Sequence, residues 1–220
     1  DGVDFAHHRF ANFAVLEFAN NIADNFALQG SDFANALQDL RSEGLSLSVN
    51  LDQQDVFALG NLPGFSFDGQ DQVTLDITAD AANTAGTHLS TSLKDLQKLG
   101  VDAISVAAGI DNVSIELGAT GGFQFNVDGS LPTFVGANGQ EIDITLEVNS
   151  LSQVFEAADL ANTENINLGA TGIDNISIDL VNNRAESFDS ADRFDSALDA
   201  LRRDDLDISI TLDQKDLNAL

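Results

Sequence analysis

Apolar and polar residues alternate with a period of two in several separate stretches of this chain. Leu45, Leu47, Val49 and Leu51 alternate with Ser46, Ser48 and Asn50, and Val73, Leu75, Ile77 and Ala79 with Thr74, Asp76 and Thr78. Ile142, Ile144, Leu146 and Val148 alternate with Asp143, Thr145 and Glu147, and Leu206, Ile208, Ile210 and Leu212 with Asp207, Ser209 and Thr211. Each pattern predicts a strand with one buried and one wet face. Shorter versions cover 113–117, 123–127 and 176–180, and Phe65 and Phe67 suggest one more. The wet positions are consistently small, hydroxylated or acidic.

Helical spacing fills much of the rest. Residues 33–41, 89–99 and 151–161 each carry apolar residues on one helical face. Asp52 and Asp213 stand at N-cap positions, where a carboxylate accepts the first free amides of a helix. Gly100 suits the left-handed residue after a helix, and His88 belongs to the cap region at the helix start. Residues 4–28 read as a helix with a Phe and Ala stripe through Phe5, Phe10, Phe13, Leu16, Phe18, Ile22 and Phe26, broken by Gly30 and Ser31. Such a stripe must be covered, by the chain's own sheet or by a neighbouring molecule.

The elements recur. LSLSVNLDQQDVFAL at 45–59 returns as LDISITLDQKDLNAL at 206–220. The preceding helices align at the same offset, with Phe33/Phe194, Leu37/Leu198, Leu40/Leu201 and Arg41/Arg202 identical. A second echo relates 89–117 to 151–180 and shares Gly-Ile-Asp-Asn at 109–112 and 172–175, read as a tight hairpin turn. The expected fold is therefore α/β: repeated strand–helix modules, one-sided sheets with helices on the apolar face, tandem-repeat or solenoid-like. Residues 1–30 would form the Phe-rich helix and 31–220 the repeat region, with the long repeat 33–59 echoed at 194–220.

Charge narrows the partners. Asp plus Glu number 36 against 9 Lys plus Arg, a net charge of −27, so nucleic acid and anionic membranes are poor partners and divalent cations natural ones. Cysteine is absent, which excludes disulfides and thiolate chemistry. No apolar run reaches the roughly 20 residues that span a bilayer. The chain does not begin with Met and its last residues fall inside the repeated unit, so it reads as a segment of something longer.

Candidate chemistry is sparse. His7 and His8 point to different sides of a helix and cannot chelate together. No GxSxG, HExxH, Walker or Rossmann string occurs, so no reaction is named and the chain is expected not to be an enzyme. GATGIDNIS at 169–177 resembles the glycine-rich nonapeptide of the calcium-binding repeats in toxin-like bacterial exoproteins, matching at Gly169, Gly172, Asp174 and Ile176 but with Ala170 in place of glycine. That resemblance implies a secreted, acidic, cysteine-free repeat protein or surface adhesin, with calcium as cofactor near Asp174 and its counterpart Asp111. The residues alone also admit a tight turn without metal.

The expectation is a structural, self-assembling segment of a large secreted bacterial protein: a surface layer, filament or adhesin stalk. A carbohydrate- or surface-ligand-binding module is the alternative. Self-association is expected through Phe10, Phe13 and Phe18 at one end and Leu217 and Leu220 at the other, with no nucleic acid and no membrane insertion.

Overall fold

Alternation turns into burial most plainly in strand β2 (Ser46–Leu51). Leu47, Val49 and Leu51 are buried, Ser46 is exposed, and Ser48 and Asn50 are half-buried. β3 (Gln72–Ile77) and β8 (Asp143–Val148) do the same with Val73, Leu75 and Ile77 and with Ile144, Leu146 and Val148. The computed structural model describes residues 13–18, 26–77, 87–119, 131–162, 168–181 and 191–219. Within them the remaining strands are β1 (Phe13–Glu17), β4 (Thr87–Leu89), β5 (Ala103–Val106), β6 (Asn112–Glu116), β7 (Thr133–Gly136), β9 (Asn175–Asp179) and β10 (Asp207–Thr211). The helices are α1 (Phe26–Ser42), α2 (Gln53–Gly60), α3 (Leu93–Leu99), α4 (Leu151–Ala161), α5 (Ala191–Arg203) and α6 (Gln214–Ala219).

The strands form two five-stranded sheets, ordered β1-β2-β3-β5-β7 and β4-β6-β8-β9-β10, and every pairing is parallel. Both orders follow the chain. From β3 to β8 the chain alternates between sheets; β1 and β2 precede this stretch in the first sheet, and β9 and β10 follow it in the second. Parallel neighbours cannot be joined by tight turns, so each return to a sheet needs a long crossover. Side-chain bonds accordingly link residues far apart in the chain, such as Asn50 to Glu17, 33 residues earlier, and Arg41 to Asp71, 30 residues later. The inward residues of both sheets and of the helices share one apolar core. Each fully buried aliphatic side chain there contributes about 1.5–3 kcal/mol. α1 packs on α2, α2 on α3, and α4 on α5. Among the described residues no helix is long and apolar enough to cross a membrane.

The starts of α2 and α6 are capped alike. Asp52 caps α2 by accepting from Gln54 N–H at 2.8 Å and Asp55 N–H at 2.9 Å, while Asp55 accepts from Asp52 N–H at 3.0 Å. Asp213 and Asp216 repeat this reciprocal cap at α6. Gly44 and Asp205, at equivalent positions before β2 and β10, both take positive φ, a conformation glycine adopts freely and Asp tolerates.

Several expectations are corrected. The part of 4–28 that is described includes a strand, β1, where a helix was expected, and Gly30 and Ser31 lie inside α1. Ala14 and Leu16 are half-buried while Val15 and Glu17 are exposed, and the open edge of β2 supplies the backbone partners that make this stretch a strand. Residues 1–12, with Phe5, Phe10, His7 and His8, lie outside the described residues, as do 123–127. Phe65 and Phe67 are not in a strand. Gly-Ile-Asp-Asn does not turn a hairpin: β5 and β6 belong to different sheets, so the turn carries the chain from one sheet to the other. His88 sits in β4, and Ser92 caps α3 instead.

The cap also stores a charge. Asp55 is fully buried and its Oδ1 has no hydrogen-bond partner among the described residues. Burial pushes its carboxyl up from 3.8 to about 6, overcoming the lowering by the Asp52 N–H. A folded value above the unfolded one means the ionised form costs the native state, at most about 3 kcal/mol at about 1.4 kcal/mol per unit. That cost is fully present above pH 6 and fades as pH falls toward 4. Asp55→Asn, which keeps the acceptor, is therefore expected to flatten the loss of stability between pH 4 and 6 seen by urea titration of the native chain; an unchanged slope would mean that Asp55 does not titrate there.

Candidate functional site

Every strand of the second sheet after β4 begins beside a short carboxylate or amide: Asp111 and Asn112 at β6, Asp143 at β8, Asp174 and Asn175 at β9, Asp207 at β10. The turns before β6 and β9 are alike. Gly109 and Gly172 both have φ of 90°, reversing the chain so that Asp111 and Asp174 lead their strands. Backbone bonds then start the ladder at these residues. Asp143 N–H donates to Asp111 O at 2.9 Å, Asp174 N–H to Ile144 O at 3.0 Å, and Asp207 N–H to Asp174 O at 2.9 Å.

The side chains finish what the ladder leaves open. The first N–H groups of a parallel strand lack a strand partner, and buried donors must find one. Asp174 Oδ2 accepts Ile144 N–H at 3.1 Å, and in the first sheet Asp102 Oδ2 accepts Val73 N–H at 2.8 Å. Burial pushes the Asp102 carboxyl above its ordinary value, partly offset by the Val73 N–H. Asp111 Oδ1 accepts Gln140 Nε2 at 3.0 Å, and Asp143 Oδ1 accepts Asn175 Nδ2. Gln140 also donates to Ile110 O at 2.9 Å, and its Oε1 accepts Gly109 N–H at 3.3 Å, tying the β7–β8 connection onto the turn before β6.

These residues line an open cleft of about 800 Å³ at the starts of β6, β8, β9 and β10. Asp111, Glu141, Asp143, Asp174 and Asp207 face it, with Phe134 and Ile142 supplying apolar wall, and among the described residues no basic residue lines it. Such a cleft attracts cations and neutral hydrogen-bonding ligands and repels anions. It pairs no nucleophile with a base.

The predicted metal residues, Asp111 and Asp174, are thus brought into one cleft, just before β6 and β9, with β8 between those strands. Among the described residues they do not converge with a third acidic or imidazole group on one point. Of the predicted assembly residues, Phe10 and Leu220 lie outside the described residues. Phe13 falls in β1 and Leu217 in α6. Phe18 packs edge-on against Phe33 at 5.5 Å, Phe33 meets Phe65 at 5.8 Å, and Phe65 meets Phe67 at 5.1 Å. Its ring is therefore engaged within this chain. Gln140 was not singled out by sequence reasoning, because its role depends on a turn 31 residues earlier.

Removing an acceptor from a part-buried donor costs about 1–3 kcal/mol. Asp174→Ala should lose that much in urea titrations, with and without calcium, and Asp174→Asn clearly less; destabilisation seen only with calcium present would assign Asp174 to metal instead of to the ladder.

No family model, curated protein or solved structure matches the chain.

Proposed function

We propose that this chain is a structural, self-assembling segment of a large secreted bacterial protein, of the kind that builds a surface layer, filament or adhesin stalk. In this reading the two sheets are a solenoid-like stack of repeated turns whose end can receive another turn.

The observation that carries it is a difference between equivalent positions. Val49 in β2 is 0% exposed, whereas Ile210, its counterpart in β10, is 38% exposed. Leu47 and Leu51 are buried, and Ile208 and Leu212 only partly so. β2 lies between β1 and β3, and β10 is an edge. Among the described residues the same apolar row thus lacks one neighbour. Arg41 and Arg202 differ in the same sense: Arg41 pairs with buried Asp71 of the following turn, while Arg202 pairs with exposed Asp199 of its own helix.

The two sheets are also staggered, the first beginning before the second and the second ending after the first. A second copy translated along the stack would set its β4 beside β10 and its β1 beside β7, both in parallel. That contact is heterologous and does not close, so it grows filaments. With −27 to neutralise, divalent cations, calcium among them, would favour such growth by lowering repulsion between copies.

Sedimentation velocity across a concentration series with added calcium tests this. Association is expected for the native chain and its loss for Ile210→Lys, with melting curves showing that the variant still folds, since Ile210 is partly exposed. A native chain that stays monomeric throughout, or an Ile210→Lys variant that associates equally, overturns the reading.

A further inference from the structure

On the polar face of the second sheet, His88 of β4, Glu116 of β6 and Glu147 of β8 come together, with an imidazole nitrogen and two carboxylate oxygens all within 4.8 Å of one another. The three strands are consecutive neighbours in the sheet. Their register explains the convergence. His88 pairs with Ser114 and Glu116 with Glu147, so the imidazole lies one step along the face from the row holding both carboxylates. His88 Nδ1 lies 3.6 Å from Glu147 Oε1 and 3.1 Å from Ser114 Oγ.

Two glutamates directly opposite one another on adjacent strands repel. Among the described residues neither is paired with a Lys or Arg; His88 alone stands against Glu147. A doubly charged cation would relieve that repulsion.

We propose that His88, Glu116 and Glu147 form a binding site for a divalent transition-metal ion, best suited to zinc. Bond lengths of about 2.0–2.2 Å to nitrogen and oxygen put neighbouring ligand atoms of a tetrahedral site roughly 3.3 Å apart. The present separations close to that by side-chain rotation alone, since His88 and Glu116 are exposed and Glu147 is half-buried. The imidazole selects against calcium and magnesium, which take oxygen ligands, and toward zinc, cobalt and nickel. Ser114 is placed to hydrogen-bond the imidazole or a coordinated carboxylate and orient it. Three protein ligands on an open face leave the remaining position to water or to a donor from another molecule. The site is separate from the acid-lined cleft and does not depend on the assembly reading.

The test uses a His7→Ala, His8→Ala background, in which His88 is the only imidazole because the chain has 3 histidines. Zinc is titrated by calorimetry, and cobalt by visible absorption, which reports coordination number and nitrogen ligation. About one equivalent of zinc is expected to bind, with His88→Asn, Glu116→Gln and Glu147→Gln each weakening it at least about tenfold, and with excess calcium failing to displace it. Melting curves confirm that the variants fold. Zinc binding unaltered by His88→Asn, or displaced by calcium, would mean diffuse condensation on an acidic surface and overturn the proposal, as would no binding at all.

Discussion

Everything in this fold depends on parallel pairing in chain order. A parallel strand cannot pair with the segment that directly follows it, so each one takes its backbone partners and apolar cover from strands and helices farther along the chain. Leu47, Val49 and Leu51 are buried because β1 and β3 flank them and α2 packs over them. The carboxylates follow the same rule. Asp102 serves the N–H of Val73 and Asp174 that of Ile144, 29 and 30 residues earlier on the neighbouring strands. A strand taken alone would expose its apolar row and orphan its first amides, so its stability depends on the strands beside it.

The acidity has two components with different consequences. Some carboxylates are fasteners: Asp52 with Asp55 and Asp213 with Asp216 at helix starts, Asp71 against Arg41, Asp102 and Asp174 at strand starts. Their bonds tie one piece of backbone to another. Others, such as Glu116 and Glu147, stand on the polar sheet face opposite like charge, where a cation is the natural complement. Net charge alone does not separate these groups; position in the ladder does.

Local periodicity made β2, β3, β8, β9, α2 and α4 readable from the sequence, because each buries residues at its own period. The capping carboxylates Asp52 and Asp213 were readable for the same reason. What escaped reading is what depends on distant partners. Phe13–Glu17 carries no period-two pattern of its own, and the edge of β2 decides for a strand. Gly-Ile-Asp-Asn looks like a hairpin turn until β5 and β6 are assigned to different sheets. Asp111 and Asp174 were named for a resemblance to calcium repeats, and the structure puts both in one cleft but engages each with a protein donor. His88 was read as part of a cap, and its neighbours Glu116 and Glu147 come from strands 28 and 59 residues later in number, a convergence that local pattern does not encode.

The central claim of the proposed assembly is that β10 is a strand like β2 that, among the described residues, lacks its second neighbour. Hydrogen exchange followed by mass spectrometry at increasing protein concentration tests it most directly, because it reads both strands in one sample. The account predicts strong protection of 46–51 at every concentration, with 207–211 exchanging fast when dilute and becoming protected when concentrated. Equal protection of the two strands in dilute solution, or no change in 207–211 with concentration, would contradict it.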